Sequence, residues 1–373
     1  MFIEVQSHVE DLTTKVKNVR GFLQINNYDA VFYQRTDNFA WITSGGYNGI
    51  PYNSETGECG LLVTSDNIYL VTNTIEKPRV VNEEIASLPI EVIEYPWYED
   101  ITSAVWRVVK KGKVATDTLL DGFDLKTAEL SKLRFSLTEL ELDRYRDLGL
   151  KATQLMEQFC MTTITPGQTE LEIAANLNQV YLSNGLLPTV TLVACDERID
   201  LFRHPIATNK RFEKKCMVVS CVSYKGLIVA ITRIVHNGKI SQSLNDKFLL
   251  TATIDAQLIE ATKVGTPAGQ MFDKIKQFYE EVGYRGEWKY HHQGGAIGYQ
   301  NRDYLITPMS QEVFQPNQAF AWNPSIKGTK SEDTIITGVT KPEIITVSNS
   351  GWPQLKINIG ENDTLQRPAI LEL

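Results

Sequence analysis

In the second half of the chain, helical patterns come first and long apolar runs follow, an order that few folds can accommodate. One helical pattern begins at SLTELELDRYRDL, where Ser136 and Glu139 have the spacing of a capping box. A second begins at TPGQTELEIAANL, where Thr169 and Glu172 repeat that spacing. The runs TVTLVACD, CMVVSCVSY and GLIVAITRIV then have the composition of strands. Helices followed by antiparallel strands predict an α+β fold.

The first part of the chain has a different pattern. Helical spacing between Leu12 and Ile25 is followed by apolar runs such as AVFYQ, FAWIT, GLLVT and NIYLVT, with turn residues between them. This order predicts an α/β unit, and a length of 373 residues favours two domains. We therefore expect an N-terminal α/β domain over residues 1–130 and a second domain over residues 131–373.

Charge and composition narrow the possible partners. The formal net charge is −8, which argues against binding to nucleic acid or to an anionic membrane. No apolar stretch approaches the roughly 20 residues of a membrane span, and the first residues lack a secretory signal pattern, so we expect a cytoplasmic protein. The five cysteines form no C-x-x-C pair, which makes a disulfide framework or a structural zinc site unexpected.

Three local patterns suggest a functional site. His204 lies between Arg203 and Pro205, and the proline favours an extended backbone that would present the imidazole on a loop. In KYHHQGGAIG, two histidines precede glycines that permit close approach of a ligand. In GTKSEDT, acidic residues adjoin a β-branched run. Each pattern alone also fits an ordinary loop or turn, so only their combination is informative.

Taken together and in order, seven segments resemble the creatinase and aminopeptidase-P branch of the M24, or pita-bread, superfamily. They are SLTELELDRYRDLGLKATQLM, TPGQTELEIAANL, LFRHPIAT, YKGLIVAITRIV, HHQGGAIG, AWNPS and SEDTIITGV. The resemblance implies a creatinase-like N-terminal domain followed by a pita-bread domain. It also implies a homodimer in which the N-terminal domain of one chain borders the partner's active site, where Arg35 is the candidate to reach the pocket.

The positions of the metal ligands depart from that family. Its peptidases hold two divalent ions with two Asp, one His and two Glu. The corresponding positions here are Val219 or Ser220, Ala230, Gly295, Asn323 and Glu332. Only Glu332 keeps a ligand, and hard divalent cations need several anionic oxygens. We therefore expect no dinuclear metal, no other cofactor and no metal-dependent Xaa-Pro peptidase activity.

The retained residues suggest a different chemistry. By resemblance, His204 corresponds to the catalytic histidine of creatinase, His291 to a second histidine near the substrate carbonyl, and Glu332 to a substrate-orienting carboxylate. The first hypothesis is therefore a metal-independent hydrolase or lyase that cleaves a C–N bond of a small polar substrate by histidine acid–base catalysis. The residues expected to bind that substrate are His292, Gln293, Asn323, Arg203, Arg35 and Tyr224.

Two alternatives remain open at the level of sequence. The chain could be an inactive member of the superfamily that serves as a binding or scaffold module. It could also be a metal enzyme with a displaced ligand set, for instance His291, His292 and Glu332. Adjacent residues of a strand project to opposite sides, which argues against two neighbouring histidines ligating one ion.

Overall fold

The computed structural model describes residues 2–338, 340–360 and 363–373. It divides into two compact units, the first running up to Leu142 and including Lys225–Leu227, the second comprising Asp143–Tyr224 and Ile228–Leu373. Mixed helices and strands confirm the predicted α+β class. Among the described residues, the structure has no helix long and apolar enough to cross a bilayer.

The first unit is built on a mixed six-stranded sheet. Its strands are β1 (Ala30–Arg35), β2 (Thr56–Thr64), β3 (Ile68–Asn73), β4 (Glu91–Tyr95), β5 (Val114–Thr116) and β6 (Asp124–Leu125), in the order β4-β3-β2-β1-β5-β6. Its helices are α1 (Phe2–Asn26), α2 (Thr36–Ile42), α3 (Lys77–Arg79), α4 (Ile101–Val109) and α5 (Thr127–Ser131). Apolar side chains of β1 to β3 pack with those of α4, as the alternation of apolar runs and helical spacing predicts.

The first unit extends beyond the expected boundary at residue 130. The Lys15 ammonium lies 2.9 Å from the Glu141 carboxylate, and both side chains are buried. Thr138 Oγ1 lies 2.5 Å from a carboxylate oxygen of Asp11. These contacts attach the start of the following helix to α1, an arrangement that local sequence patterns do not reveal.

The long helix α6 (Glu139–Thr162) is capped two residues later than the pattern at Ser136 and Glu139 suggested. The backbone N–H of Thr138 donates to Glu141 Oε2 at 2.8 Å, and that of Glu141 donates to Thr138 Oγ1 at 3.4 Å. The next helix, α7 (Glu170–Ser183), has the predicted capping box between Thr169 and Glu172.

The second unit combines most of α6 and all of α7 with two sheets and two hairpins. Its other helices are α8 (Glu197–Leu201), α9 (Gln242–Ala261) and α10 (Ala268–Glu281). One sheet has the order β19-β9-β8-β7 and a second the order β11-β10-β12-β15-β16, beside the hairpins β13-β14 and β17-β18. These strands are β7 (Leu187–Cys195), β8 (Lys215–Tyr224), β9 (Leu227–His236), β10 (Gly294–Ile297), β11 (Tyr304–Leu305), β12 (Ala319–Trp322), β13 (Ser325–Ile326), β14 (Thr329–Lys330), β15 (Asp333–Ile336), β16 (Glu343–Ile344), β17 (Gln354–Asn358), β18 (Thr364–Pro368) and β19 (Leu371–Glu372).

A buried ionic network joins the elements of the second unit. Arg233 of β9 pairs with Glu157 of α6 at 2.7 Å and with Asp333 of β15 at 3.2 Å. Arg367 of β18 pairs with Asp333 and with Asp255 of α9, both at 2.6 Å. Thr232, next to Arg233, forms an antiparallel bridge with Glu332, next to Asp333. The network therefore fixes how β9 and the segment before β15 are aligned, and the position of Glu332 depends on that alignment.

Candidate functional site

The histidines of the site come from two irregular segments of the second unit. His204 lies in the loop between α8 and β8, and His291 lies between a short 3-10 helix (Glu287–Tyr290) and β10. Pro205 follows His204, and His291 has an extended backbone. Both segments therefore present their side chains from loops whose ends are held by regular elements.

The structure brings His204 and His291 into direct contact. Their Nε2 atoms lie 3.2 Å apart, while Nδ1 of His291 lies 3.1 Å from Ser325 Oγ. The amide nitrogen of Asn323 approaches the same Nε2 of His291 at 3.5 Å. The contact between the Ser325 hydroxyl and Nδ1 thus orients Nε2 of His291 toward His204. A hydrogen bond to one ring nitrogen commonly sets the role of the other in histidine sites.

A third imidazole belongs to the same cluster. The ring centroid of His292 lies 4.8 Å from that of His291 and 5.4 Å from that of His204. Adjacent residues of a strand project to opposite sides, but His291 and His292 both precede β10 and are not part of its pleat, so their rings can lie together. One ligand atom from each of the three imidazoles lies within 4.8 Å of the others.

The environment favours neutral imidazoles. Burial, reinforced by the charge of Lys330, lowers the pKa of His291 far below its usual range. Burial and the charge of Arg302 lower the pKa of His292 to about 4. Burial and Lys330 also lower the pKa of His204, which is the most exposed of the three. Each ring is therefore neutral near pH 7, with one N–H donor and one nitrogen that can accept a proton.

Glu332 is buried among cations. Its carboxylate lies 2.7 Å from Lys330 Nζ and 3.1 Å from an Arg302 nitrogen, and it accepts a hydrogen bond from Thr232 Oγ1 at 2.7 Å. Burial alone would raise the pKa of Glu332, but Lys330 and Arg302 lower it to about 2. Glu332 is thus a fixed anion whose charge is already neutralised by two N–H donors of the protein, and its role in orienting substrate stays a prediction.

Three contributors were not identified from sequence: Ser325, Lys330 and Arg302. Lys330 and Glu332 are two residues apart, and this strand spacing could have indicated that they share a face. Arg302 carries no such signal, since it lies 30 residues from Glu332 and reaches it only through the fold.

Gln293 and Asn323 have different surroundings. Gln293 accepts a hydrogen bond from Tyr279 Oη at 2.5 Å and donates to the carbonyls of Trp288, at 3.2 Å, and His291. The Gln293 amide therefore stabilises the loop before β10. These hydrogen bonds occupy the groups that were predicted to contact substrate. Asn323 keeps its Oδ1 buried and without a hydrogen-bond partner among the described residues, so it can accept from a ligand.

The remaining predicted binding residues have other surroundings. Arg203 pairs with Glu287 at 2.5 Å and lines a small cavity together with His291. Tyr224 lies exposed at the end of β8. Arg35 belongs to the first unit, where it pairs with Glu55 at 2.8 Å and Asp37 at 3.2 Å. Their roles in substrate binding stay predictions.

Space near the histidines is limited. A cavity of about 10 Å³ is lined by Arg203, Met217, His291, Ser325 and Lys330, together with other apolar side chains. This is about the size needed for a single water molecule. Trp322 does not fill it, because its ring is buried in the core and its Nε1 donates to Thr262 Oγ1 at 2.8 Å.

The positions that correspond to metal ligands in the resembled family are built differently. A side chain at Gly295 would place its Cβ 2.1 Å from the carbonyl oxygen of Tyr304, because β10 and β11 approach closely there. Val219 and Ala230 lie buried in β8 and β9. Of these positions, only Glu332 offers a carboxylate.

Known proteins resemble the chain over most of its length. A family model described as metallopeptidase family M24 matches residues 143–348. A Xaa-Pro dipeptidase of Pyrococcus horikoshii is 23% identical over 347 residues, covering 87% of this chain and 94% of that protein.

Solved structures share the fold. The Xaa-Pro dipeptidase of Bacillus anthracis has a TM-score of 0.76 at 19% identity, covering 90% of this chain and 98% of that chain. The N-terminal domain of FACT complex subunit SPT16 from chickpea has a TM-score of 0.71 at 13% identity, covering 91% and 96%. These similarities confirm the predicted pita-bread architecture with its N-terminal domain. Since the family model covers more than half of the chain, the protein belongs to metallopeptidase family M24.

Proposed function

We propose that this chain hydrolyses a C–N bond of a small polar substrate by histidine acid–base catalysis, without the dinuclear metal centre of its family. The observation that carries the proposal is the 3.2 Å contact between the Nε2 atoms of His204 and His291, with Ser325 behind His291. Two imidazoles in this relation can share, accept and return a proton over one short path.

The residues present do not fit a pair of divalent ions. Such a pair requires several anionic oxygens, and Glu332 is the one carboxylate kept at the five ligand positions. Its oxygens are already engaged by Lys330 and Arg302. Lys330 and Arg302 therefore already neutralise the one carboxylate at these positions, which leaves no free anionic oxygen to bridge a pair of divalent ions.

The proposed reaction follows from the neutral state of the imidazoles. His204, the more exposed imidazole, takes a proton from water as the water oxygen bonds to the substrate carbon. His291, held by Ser325, donates a hydrogen bond to the developing oxyanion, and Asn323 Nδ2 lies beside it. His204 then returns the proton to the leaving nitrogen as the C–N bond breaks, so that the imidazole ends neutral.

A panel of small amides, ureas and guanidino compounds, assayed with chelator present, tests the proposal. We expect turnover of at least one class that chelator leaves intact, and a loss of about 10²–10⁴-fold in kcat for His204→Ala. His236→Ala is the matched control, because His236 lies at the end of β9 and bonds the Gly238 carbonyl at 2.8 Å, outside the cluster.

Two results would contradict the proposal. Cleavage of Xaa-Pro dipeptides that depends strictly on added Mn²⁺ would show that the family's metal chemistry survives. Absence of turnover across the panel, combined with tight binding of a protein or peptide, would favour the binding-module alternative.

A further inference from the structure

The three imidazoles of the cluster present nitrogen atoms close enough together to bind one metal ion, which acid–base catalysis does not require. We infer that His204, His291 and His292 form a mononuclear site for a nitrogen-preferring transition-metal ion such as Zn²⁺ or Co²⁺. This site is distinct from the dinuclear centre of the family, none of whose five ligand positions it uses. We infer further that occupancy blocks the proposed reaction, a consequence that rests on the proposed function.

The spacing of the ring nitrogens fits such an ion. In a tetrahedral site with metal–nitrogen bonds of about 2.0–2.1 Å, two ligand nitrogens are roughly 3.3 Å apart. The Nε2 atoms of His204 and His291 lie 3.2 Å apart, close to one edge of that tetrahedron. The ligand atoms of all three imidazoles lie within 4.8 Å of one another. A modest rotation of the His292 ring would therefore bring three nitrogens to three corners of the tetrahedron.

The surroundings hold the rings ready to bind. Ser325 Oγ contacts Nδ1 of His291 and leaves Nε2 directed at the cluster, as outer partners of metal-bound histidines do. Nδ1 of His292 is buried with no hydrogen-bond partner among the described residues. An unpaired buried ring nitrogen is costly unless something binds it. A metal ion, or a water held by it, would satisfy this atom.

Charge determines which ions the site accepts. The ligands are neutral, and the nearby charges of Lys330 and Arg302 outnumber that of Glu332. Mg²⁺ and Ca²⁺ need anionic oxygen ligands and gain little here, whereas Zn²⁺, Co²⁺, Ni²⁺ and Cu²⁺ bind neutral imidazole well. The excess positive charge favours an anion such as chloride or hydroxide in the open fourth position.

Metal binding and proton transfer compete for the same atoms. The lone pair of His204 Nε2 cannot accept a proton from water while it is bonded to a metal ion. The geometry therefore points to inhibition by Zn²⁺, the reverse of the metal activation expected for a dinuclear peptidase. Removal of the ion by a chelator would restore activity.

Binding is tested first, without any substrate. Chelator-treated full-length protein is titrated with Co²⁺ while its visible absorption is recorded, and Zn²⁺ is then added as a competitor. We expect one Co²⁺ per chain with the intense absorption of a tetrahedral site, bleached by one equivalent of Zn²⁺. His292→Asn should weaken binding by more than about 100-fold, since loss of even an outer partner costs about 10–100-fold.

Two further variants sharpen the test. Ser325→Ala should weaken Co²⁺ binding by about 10–100-fold, because it removes the outer partner of His291. His236→Asn should leave both spectrum and affinity unchanged. Absence of a tetrahedral spectrum, or an equal loss in the His236→Asn variant, would overturn the metal site.

The two proposals fail separately. If Co²⁺ binds as expected but added Zn²⁺ leaves turnover unchanged, the inhibitory role is wrong and the site stands. If no turnover is found with or without chelator, the proposed hydrolysis fails, while the spectroscopic result still decides the metal site.

Discussion

Glu332 carries a buried negative charge on which two neighbouring cations depend. Replacing it with Gln would leave Lys330 and Arg302 without their shared carboxylate. Breaking a buried ion pair in this way costs about 3–5 kcal/mol. We expect Glu332→Gln to lower the free energy of unfolding by that amount, as measured by denaturant titration at neutral pH.

The pH dependence of this contribution has a definite sign. The pKa of Glu332 is lowered to about 2 in the folded protein, so its contribution is present above the unfolded value of 4.5 and is lost as the pH falls toward 2. Glu343→Gln is the control, because that carboxylate pairs with Arg146 on the surface and should matter by less than about 1 kcal/mol. Equal losses in both variants would contradict the prediction.

At the scale of elements, Asp117 joins the end of β1 to the segment after β5. Its carboxylate accepts hydrogen bonds from the backbone N–H of Gln34 at 2.8 Å and from Asn38 Nδ2 at 2.9 Å. Burial nevertheless raises the pKa of Asp117 to about 6. Its folded-state pKa lies above the unfolded value of 3.8, so its stabilising contribution is present at low pH and is lost as the pH rises through about 6.

Comparison with Asp117→Asn isolates this effect, because the variant cannot titrate at position 117. Between pH 3 and pH 8 the wild type should lose about 3 kcal/mol of unfolding free energy relative to the variant, because the pKa of Asp117 is about 6 in the folded protein and 3.8 in the unfolded chain. The loss of hydrogen bonds in the variant adds a constant offset and leaves the slope unaffected. Parallel stability curves over this range would refute the prediction.

Elements differ in how far sequence predicts them. The capping box at Thr169 and Glu172 is local, and it was predicted at the correct residues. At α6 the same rule selected Ser136 and Glu139, while Thr138 and Glu141 form the pair, because Lys15 and Asp11 hold Glu141 and Thr138 from another helix. Local patterns locate a helix, whereas long-range contacts decide its first residue.

The site shows the same limit more strongly. The contact between His204 and His291 could be expected from the family resemblance, which implies a catalytic histidine at the first position and a histidine near the substrate carbonyl at the second. The cations around Glu332 could not, because Arg302 approaches it only after β10 and β15 have entered one sheet. The clustering of His292 with the other two imidazoles was missed for a related reason: whether two adjacent residues share a side depends on backbone torsions of the segment before β10.

For the whole molecule, we propose a homodimer in which Arg35 of one chain completes the partner's site. One chain has a mass of 42.1 kDa, and light scattering should give twice that value. A monomer would exclude a role for Arg35 in the partner's site. In the first unit Arg35 is held by Asp37 and Glu55, so its guanidinium is oriented before any partner arrives.

Mixing two inactive variants separates a role in trans from a role in cis. In a heterodimer of Arg35→Ala with His204→Ala, one site receives both an intact His204 and an intact Arg35 if the arginine acts across the interface. Random reassembly yields such heterodimers in half of the population, so about a quarter of wild-type turnover should return. If Arg35 serves its own chain, each site lacks one residue and mixing restores nothing. Glu55→Gln, which removes one partner of Arg35 without touching the guanidinium, should keep most of the activity and serves as the control for folding of the first unit.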